Sequence, residues 1–230
     1  MRKHVFWGIW IAFYINITCG LALISQEKDI LHDVLRQFPR FSSLSPAAFA
    51  AATAGIIATV LAVDSVFNTL GRIGFSTLSD HFKRRETSYF IIFVMSIAVC
   101  LLQIVTNSID NALLWAVLAM LFLVNAGYGG GFSTLPVLLD QHFGTKTVST
   151  THGLTLSAWA FAGLSGNQLA SFVVTHAPDQ AHRYAALIPV LAVLFAVALA
   201  CIWLVSRAKP LGGVERRAGA VDVDANAVSR

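Results

Sequence analysis

A polar stripe lies within an otherwise hydrophobic part of the chain, and it consists of Asp64, Asn68 and Arg72. Their spacing of four and eight residues places all three on one face of an α-helix. Because the residues around them are apolar enough for lipid, a charge there is expected to face a protein interior or a water-filled path. A carboxylate and a guanidinium on one helix face therefore predict a pathway for an ion or a polar solute.

The two charged members of the stripe suggest different chemical roles. Arg72 offers a planar fork of donors that suits a carboxylate, and the alternative is a side chain that snorkels to the headgroups. Asp64 is a candidate for carrying a proton, and the alternative is a structural ion pair with Arg72 or with another helix. About 12 Å of helix axis separates the two positions, so a direct pair between them is not favoured.

Aromatic and amide side chains in glycine-rich stretches are candidates for lining such a path. Asn125 and Tyr128 lie in or beside AGYGGGF, residues 126–132, and Trp159 lies in the next apolar stretch. They are distant from the positions where interfacial aromatic residues belong, and ordinary packing is their alternative use. The glycines, with Pro136 shortly after them, are compatible both with a hinge and with tight static packing.

A short polar connection, SDHFKRRE at residues 79–86, follows the stripe. Its basic residues fit the enrichment of Lys and Arg in cytoplasmic loops. Asp80 is expected to form ion pairs with a neighbouring helix. Together with Arg84 and Arg85, it is a candidate for the cytoplasmic gate of a carrier.

The composition predicts a membrane protein, because 56% of the residues are hydrophobic and only 12% are charged. A soluble domain has about 25% charged residues. The net charge of +4 is attributed to basic cytoplasmic loops, so no nucleic-acid partner is expected. Cys19, Cys100 and Cys201 lie in separate apolar stretches without metal-ligand spacing. No metal and no cofactor are therefore expected.

Six apolar stretches are long enough to cross a membrane, which takes about 20 largely apolar residues. The sequence predicts an all-α, multi-pass protein with a transmembrane domain over residues 1–207 and a disordered cytoplasmic tail over 208–230. The polar segment 26–45 is predicted to be an outer loop with a short surface helix. The six stretches are 5–24, 46–78, 89–105, 112–139, 148–174 and 184–205.

The distribution of Lys and Arg predicts the orientation. Eleven lie on one side of the predicted spans, four lie on the other, and Arg72 lies inside a span. The excess predicts cytoplasmic termini and a location in the plasma (inner) membrane. The larger group is Arg2, Lys3, Lys83, Arg84, Arg85, Lys146, Arg207, Lys209, Arg216, Arg217 and Arg230, and the smaller group is Lys28, Arg36, Arg40 and Arg183.

An enzymatic function must also be weighed, because GLSG at residues 163–166 matches the G-x-S-G pattern of rhomboid intramembrane proteases. The serine of such a protease needs a histidine from another span to activate it. The last predicted span contains no histidine. The sequence therefore favours a carrier that is not an enzyme over an intramembrane hydrolase.

Three motifs in this order resemble those of the major facilitator superfamily, in particular the oxalate/formate antiporter family and related monocarboxylate carriers. They are FWGIWIAFYINITCGLALIS at 6–25, GRIGFSTLSDHFKRR at 71–85 and GYGGGFSTLPVLLDQHFGTK at 127–146. The resemblance covers about residues 5–205. It implies the carboxy-terminal six-helix half, helices seven to twelve, of a twelve-helix carrier that binds its solute between the two halves.

The resemblance also implies roles for particular residues. Arg72 matches the family's helix-eight arginine, which binds the carboxylate of the substrate. Trp159 stands in LTLSAWAFAG, where oxalate carriers have a helix-eleven lysine, so a monocarboxylate is favoured over a dianion. Ser76 and Lys83 stand where the family has small glycines.

The function implied is secondary transport of a small organic anion, by exchange or with a proton. The expected substrate site comprises Arg72, Asn68, Tyr128 and Trp159, and Asp64 is the proton-coupling candidate. The alternative is a truncated or split half-transporter that is inactive without an amino-terminal six-helix partner. Besides the lipid bilayer, the partners considered are that half and a second copy of the chain.

Overall fold

The computed structural model describes residues 3–106, 110–179 and 183–209, and all the regular structure in these ranges is helical. Five of the helices are long and apolar enough to cross a membrane, which confirms the all-α, multi-pass fold class. The predicted tail lies almost entirely outside the described residues. The helices are α1 (Lys3–Arg36), α2 (Pro39–Ser42), α3 (Pro46–His81), α4 (Glu86–Thr106), α5 (Asp110–Phe143), α6 (Val148–Thr155), α7 (Ser157–Thr175) and α8 (Leu187–Ser206), with a 3-10 turn at Arg183–Ala186 before α8.

The fifth predicted span, 148–174, is divided at Leu156 into α6 and α7, and it is not among the five helices that meet the criteria for crossing. Local side-chain bonds accompany the interruption. The hydroxyls of Thr151 and Thr155 each donate to the carbonyl four residues earlier, and Ser157 donates to the Leu154 carbonyl at 2.7 Å. Such bonds compete with the helical ladder and bend helices. A crossing by the stretch 148–174, which would be the sixth of the protein, stays a prediction.

The segment 26–45 contains helical structure, as predicted, but the helix is not separate from the first span, because α1 continues without interruption to Arg36. No proline or glycine occurs between positions 26 and 36. Apolar side chains at helical spacing are buried along this extension, which gives it a packing face. They are Ile30, Leu31, Val34 and Leu35.

Helix α5 lies at the centre of the fold and packs against α1, α3 and α4, while α1 also packs against α7 and α8. The core between these helices contains fully buried side chains such as Phe13, Phe93 and Phe195. Helix α3 has α5 as its main neighbour and is the least buried of the five long apolar helices. A long face of α3 is therefore left open.

The glycine cluster of α5 is tightly packed, and α5 continues as one helix through Pro136. Side chains already occupy the space that a Cβ atom would need at Gly127, Gly130 and Gly131. Of the two interpretations of this cluster, the structure supports close static packing. The neighbouring side chains are those of Ile92, Phe75 and Asn16.

Candidate functional site

Four polar side chains of α3 and α5 form a continuous hydrogen-bonded series, named here the polar chain: Arg72, Asn68, Asn125 and Asp64. Arg72 Nε donates to Asn68 Oδ1 at 3.2 Å, and Asn68 Nδ2 donates to Asn125 Oδ1 at 2.8 Å. Asn125 Nδ2 donates in turn to Asp64 Oδ2. Two amides therefore connect the guanidinium of Arg72 to the carboxylate of Asp64. These two charged groups are too far apart along α3 to pair directly.

Helical spacing and small residues together build the polar chain. Asn68 lies one turn before Arg72, so their side chains are neighbours on the surface of α3. Asn125 reaches them because the two helix backbones approach closely: a Cβ at Gly71 would meet the backbone of Ala126, and one at Gly129 would meet the Asn68 carbonyl. The glycines thus bring the amide of Asn125 within bonding distance of α3.

The guanidinium of Arg72 lies on the open face of α3 and is held at two points. Its Nε atom bonds to Asn68, and its Cζ atom lies 5.3 Å from the centroid of the Phe132 ring, within the range of a cation–π contact. Within the described residues, its two Nη atoms have no hydrogen-bond partner. The fork is thus oriented and available to an anion.

Phe132 connects Arg72 to the two predicted aromatic site residues. Its ring centroid lies 5.4 Å from that of Tyr128 and 6.0 Å from that of Trp159. Tyr128 is half-buried, whereas the Trp159 side chain is 51% exposed. The sequence analysis did not single out Phe132, although its position one turn after Tyr128 in AGYGGGF places it on the same helix face.

An open groove of about 430 Å³ runs between α1 and α7. Trp159 belongs both to its wall and to the aromatic group around Phe132. The groove is mostly apolar, with an amide and a hydroxyl in its wall. Its lining residues are Leu21, Ile24, Ser25, Trp159, Ala160, Gly163 and Asn167.

Asp64 ends the polar chain in a buried position, with a second carboxylate nearby. Its side chain is 4% exposed, and its Oδ1 atom has no hydrogen-bond partner. Glu27 of α1 is also 4% exposed, its Oε1 atom has no partner either, and it interacts electrostatically with Asp64. The sequence analysis missed Glu27, yet it shares the helical spacing of the buried Ile30, Leu31 and Val34.

The candidate gate residues lie together at one end of the helices. Arg85 Nη1 contacts the Ser79 carbonyl and lies 3.4 Å from Asp80 Oδ1. The contact to another helix is made instead by Arg84, whose Nη1 donates to the Ser206 carbonyl at 3.2 Å. Within the described residues, Asp80 thus pairs with Arg85 of the adjoining connection and with no residue of a neighbouring helix.

A buried contact between a histidine and a glutamate beside this connection was also missed by the sequence analysis. His142 Nε2 of α5 lies 2.8 Å from Glu86 Oε1 of α4, and neither side chain reaches the surface. One residue away, the Arg85 backbone N–H donates to Gln141 Oε1 at 2.8 Å. The pair therefore joins α5 to the beginning of α4.

Ser165, the serine of GLSG, has bonding partners other than a histidine. Its Oγ atom lies 2.8 Å from the Tyr14 hydroxyl and donates to the Phe161 carbonyl at 2.9 Å. In the described part of the chain, no histidine bonds to it. The hydrolase alternative thus gains no support from the geometry of this serine.

No protein-family model matches the sequence, and a search of curated proteins finds no significant match. The chemical argument therefore rests on the geometry. The arrangement offers an oriented guanidinium fork, an aromatic wall around Phe132, and a buried carboxylate connected to the fork by two amides. Such a set can bind an anion with an apolar part and connect it electrostatically to an acidic group.

Proposed function

We propose that this chain is one six-helix half of a secondary carrier for a small organic anion, with monocarboxylates as the substrate class. The observation that carries the proposal is the guanidinium of Arg72. It is fixed by Asn68 and Phe132 while both Nη atoms stay available in the described structure. A fork fixed in this way is better suited to bidentate binding of a carboxylate than a flexible, snorkelling side chain. The resemblance to monocarboxylate carriers agrees with this substrate class.

In this proposal, the carboxylate of the solute binds to the Nη atoms of Arg72, and its apolar part packs against the aromatic side chains. Phe132, Tyr128 and Trp159 form that wall because their rings contact one another beside the guanidinium. Asn68 positions Arg72 through its Oδ1 atom. A single cationic group matches a monoanion, whereas a dianion would leave one charge uncompensated.

Asp64 is the proposed coupling group, because the polar chain connects it to Arg72. Binding of an anion at Arg72 changes the electrostatic potential at Asn68 and Asn125. Hydrogen bonds in series polarise one another, so the change extends to Asp64. The proposal also includes a gate on the cytoplasmic side, formed by Asp80, Arg84 and Arg85. In this proposal the protein lies in the plasma (inner) membrane, and both termini are in the cytoplasm.

We further propose that a second six-helix unit, either an amino-terminal half or another copy, covers the open face of α3. This face exposes both apolar side chains and the guanidinium of Arg72, and there is open space around Gly55 and Gly74. A cation at this depth requires a partner or a water-filled path. The exposed apolar residues on this helix include Val66, Leu70 and Ile73.

The test compares Arg72→Lys with Arg40→Lys in lipid nanodiscs, with binding of radiolabelled lactate as the measurement. Arg40 is a matched control because its Cζ lies 5.6 Å from the centroid of the Phe41 ring, close to the geometry at Arg72. Losing the charge-assisted fork costs about 1.5–3 kcal/mol. Binding should therefore weaken roughly ten- to a hundred-fold in Arg72→Lys and stay unchanged in Arg40→Lys.

Equal lactate binding by Arg72→Lys and the parent chain would overturn the substrate-site assignment. Binding is measured because uptake is expected to require the second unit. Saturable uptake by the purified monomer in proteoliposomes would contradict that requirement and leave the role of Arg72 intact.

A further inference from the structure

We propose that Glu27 and Asp64 form a shared proton-binding site, with one proton held between Glu27 Oε1 and Asp64 Oδ1. The inference deepens the proposed function, because it adds a second carboxyl group to the coupling site. It depends on that function only for the role of the proton in transport. Proton binding is measurable without any transported solute, so the two proposals can fail separately.

The register of α1 against α5 places Glu27 beside Asp64. The helices are antiparallel, because Asn16 lies against Gly131 and Gly20 lies against the Tyr128 ring. From Gly20 to Glu27, α1 rises about 10 Å, and from Tyr128 to Asn125, α5 advances about 4.5 Å in the same direction. Glu27 therefore begins about 6 Å along the axis from Asn125, whose amide donates to Asp64. Helix α1 also packs directly against α3, the helix that carries Asp64.

Among the described residues, each carboxylate has one buried oxygen with no hydrogen-bond partner, namely Glu27 Oε1 and Asp64 Oδ1. A single proton satisfies both atoms, because a protonated Glu27 donates and an ionised Asp64 accepts. Asp64 is the acceptor because its other oxygen, Oδ2, already accepts from Asn125, and such a bond favours the ionised form. The proton comes from water, and its binding reduces the charge of the pair from −2 to −1.

The surroundings offer no countercharge that would make this proton unnecessary. In the described part of the chain, neither carboxylate forms an ion pair with a cation. Two buried like charges without a cation are costly, and the cost falls when one is neutralised. Other ionisable groups lie on the same helix and on the elements packed against it. They are Lys28, Asp29 and Asp33 of α1, Arg72 of α3, Tyr128 of α5, and Arg183 and Tyr184 of the 3-10 turn before α8.

Infrared spectroscopy of the full chain in nanodiscs at neutral pH tests the site. A protonated carboxyl group has a C=O stretching band that shifts in D₂O. The parent chain should show this band, and incorporation of ¹³C-labelled glutamate should shift it. The chain has three glutamates, Glu27, Glu86 and Glu215, so the label assigns the band to a small set even before any variant is made.

Variants then identify which residue is protonated and whether the other carboxylate shares the proton. Glu27→Gln should abolish the labelled band. Asp64→Asn should shift the band or abolish it, because Glu27 then has neither a charged acceptor nor a second negative charge that favours its protonated form. Asp29→Asn, which changes an exposed carboxylate two residues away, should leave it unchanged. Absence of the band from the parent chain, its persistence in Glu27→Gln or an unchanged frequency in Asp64→Asn would overturn the shared site.

Discussion

At the scale of single residues, the stripe on α3 depends on a side chain from another helix. Asn125 accepts a hydrogen bond from Asn68 and donates to Asp64. Without it, Asp64 would have no side-chain donor and would not be connected to the bonded pair of Asn68 and Arg72. The Asn125 amide thus gives the buried Asp64 carboxylate a donor and connects it through Asn68 to the exposed guanidinium of Arg72.

We expect Asn125→Ala to destabilise the protein, because Asp64 loses its side-chain donor and Asn68 loses its side-chain acceptor. An unsatisfied buried polar group costs about 1–3 kcal/mol. Asn167→Ala is the matched control, since this asparagine is exposed in the groove between α1 and α7. Thermal unfolding in detergent should give a lower melting temperature for Asn125→Ala only. Equal melting temperatures for the two variants would show that the polar chain does not contribute to stability.

Prediction from sequence succeeds at this scale where the pattern lies within one helix, and it fails where the pattern lies between helices. The spacing of Asp64, Asn68 and Arg72 is visible in the chain, and the structure places all three in one polar chain. Phe132 and Glu27 were missed because an aromatic residue or a glutamate acquires its role only from the register between α1, α3 and α5. The periodicity of a single segment does not show how its helix is aligned against the neighbouring helices.

At the scale of the helices, the closest approach in the site is between α3 and α5. A Cβ at Gly71 would overlap the backbone of Ala126, whereas a Cβ at Gly74, one turn later, would meet nothing within 4 Å. These two glycines are therefore in opposite environments on the same helix. The first sets the distance between the helices, and the second faces the open side of α3.

We expect Gly71→Ala and Gly74→Ala to have opposite effects on stability. The alanine at 71 must push against a backbone that cannot yield, and overpacking costs about 1–3 kcal/mol. The alanine at 74 removes a flexible residue from a helix interior, which gains roughly 0.5–1 kcal/mol. Melting temperatures in detergent should fall for the first variant and stay equal or rise for the second. A Gly71→Ala variant as stable as Gly74→Ala would contradict the close contact.

The helices also show where the length of an apolar stretch is sufficient to predict a membrane-spanning helix. It located the five helices that are long and apolar enough to cross, because a long apolar run has few alternatives in a membrane protein. It does not reveal the interruption at Leu156, where α6 ends and hydroxyl side chains bond to the backbone inside an apolar stretch. It also failed beyond position 26, where α1 continues as a helix with a polar outer face and a buried inner face.

At the scale of the whole molecule, the structure gathers the predicted cytoplasmic connections at one end. The Phe6 and Phe143 rings are 6.4 Å apart, so α1 begins where α5 ends. Arg84 contacts the last turn of α8, and the Arg85 backbone contacts Gln141 near the end of α5. The basic residues of these segments that the structure describes thus share one end, which is the asymmetry expected of a cytoplasmic face.

Ser43 and Thr145 provide a matched pair of sites for testing the orientation. Both are exposed in the structure. Ser43 follows α2 in the connection to α3, and Thr145 lies in the connection between α5 and α6 at the basic end. A cysteine at either position should react equally well with a thiol reagent once the membrane is opened, so any difference in intact cells reports the side of the membrane.

We expect Ser43→Cys to react with an impermeant thiol reagent applied to intact cells, and Thr145→Cys to react only after the cells are opened. The physical reason is the excess of Lys and Arg at the Thr145 end, which favours retention of that end in the cytoplasm. The parent chain, with Cys19 and Cys100 buried and Cys201 partly so, gives the background labelling. The reverse pattern, with Thr145→Cys labelled in intact cells and Ser43→Cys protected, would invert the orientation. It would also move the proposed gate at Asp80, Arg84 and Arg85 to the outside.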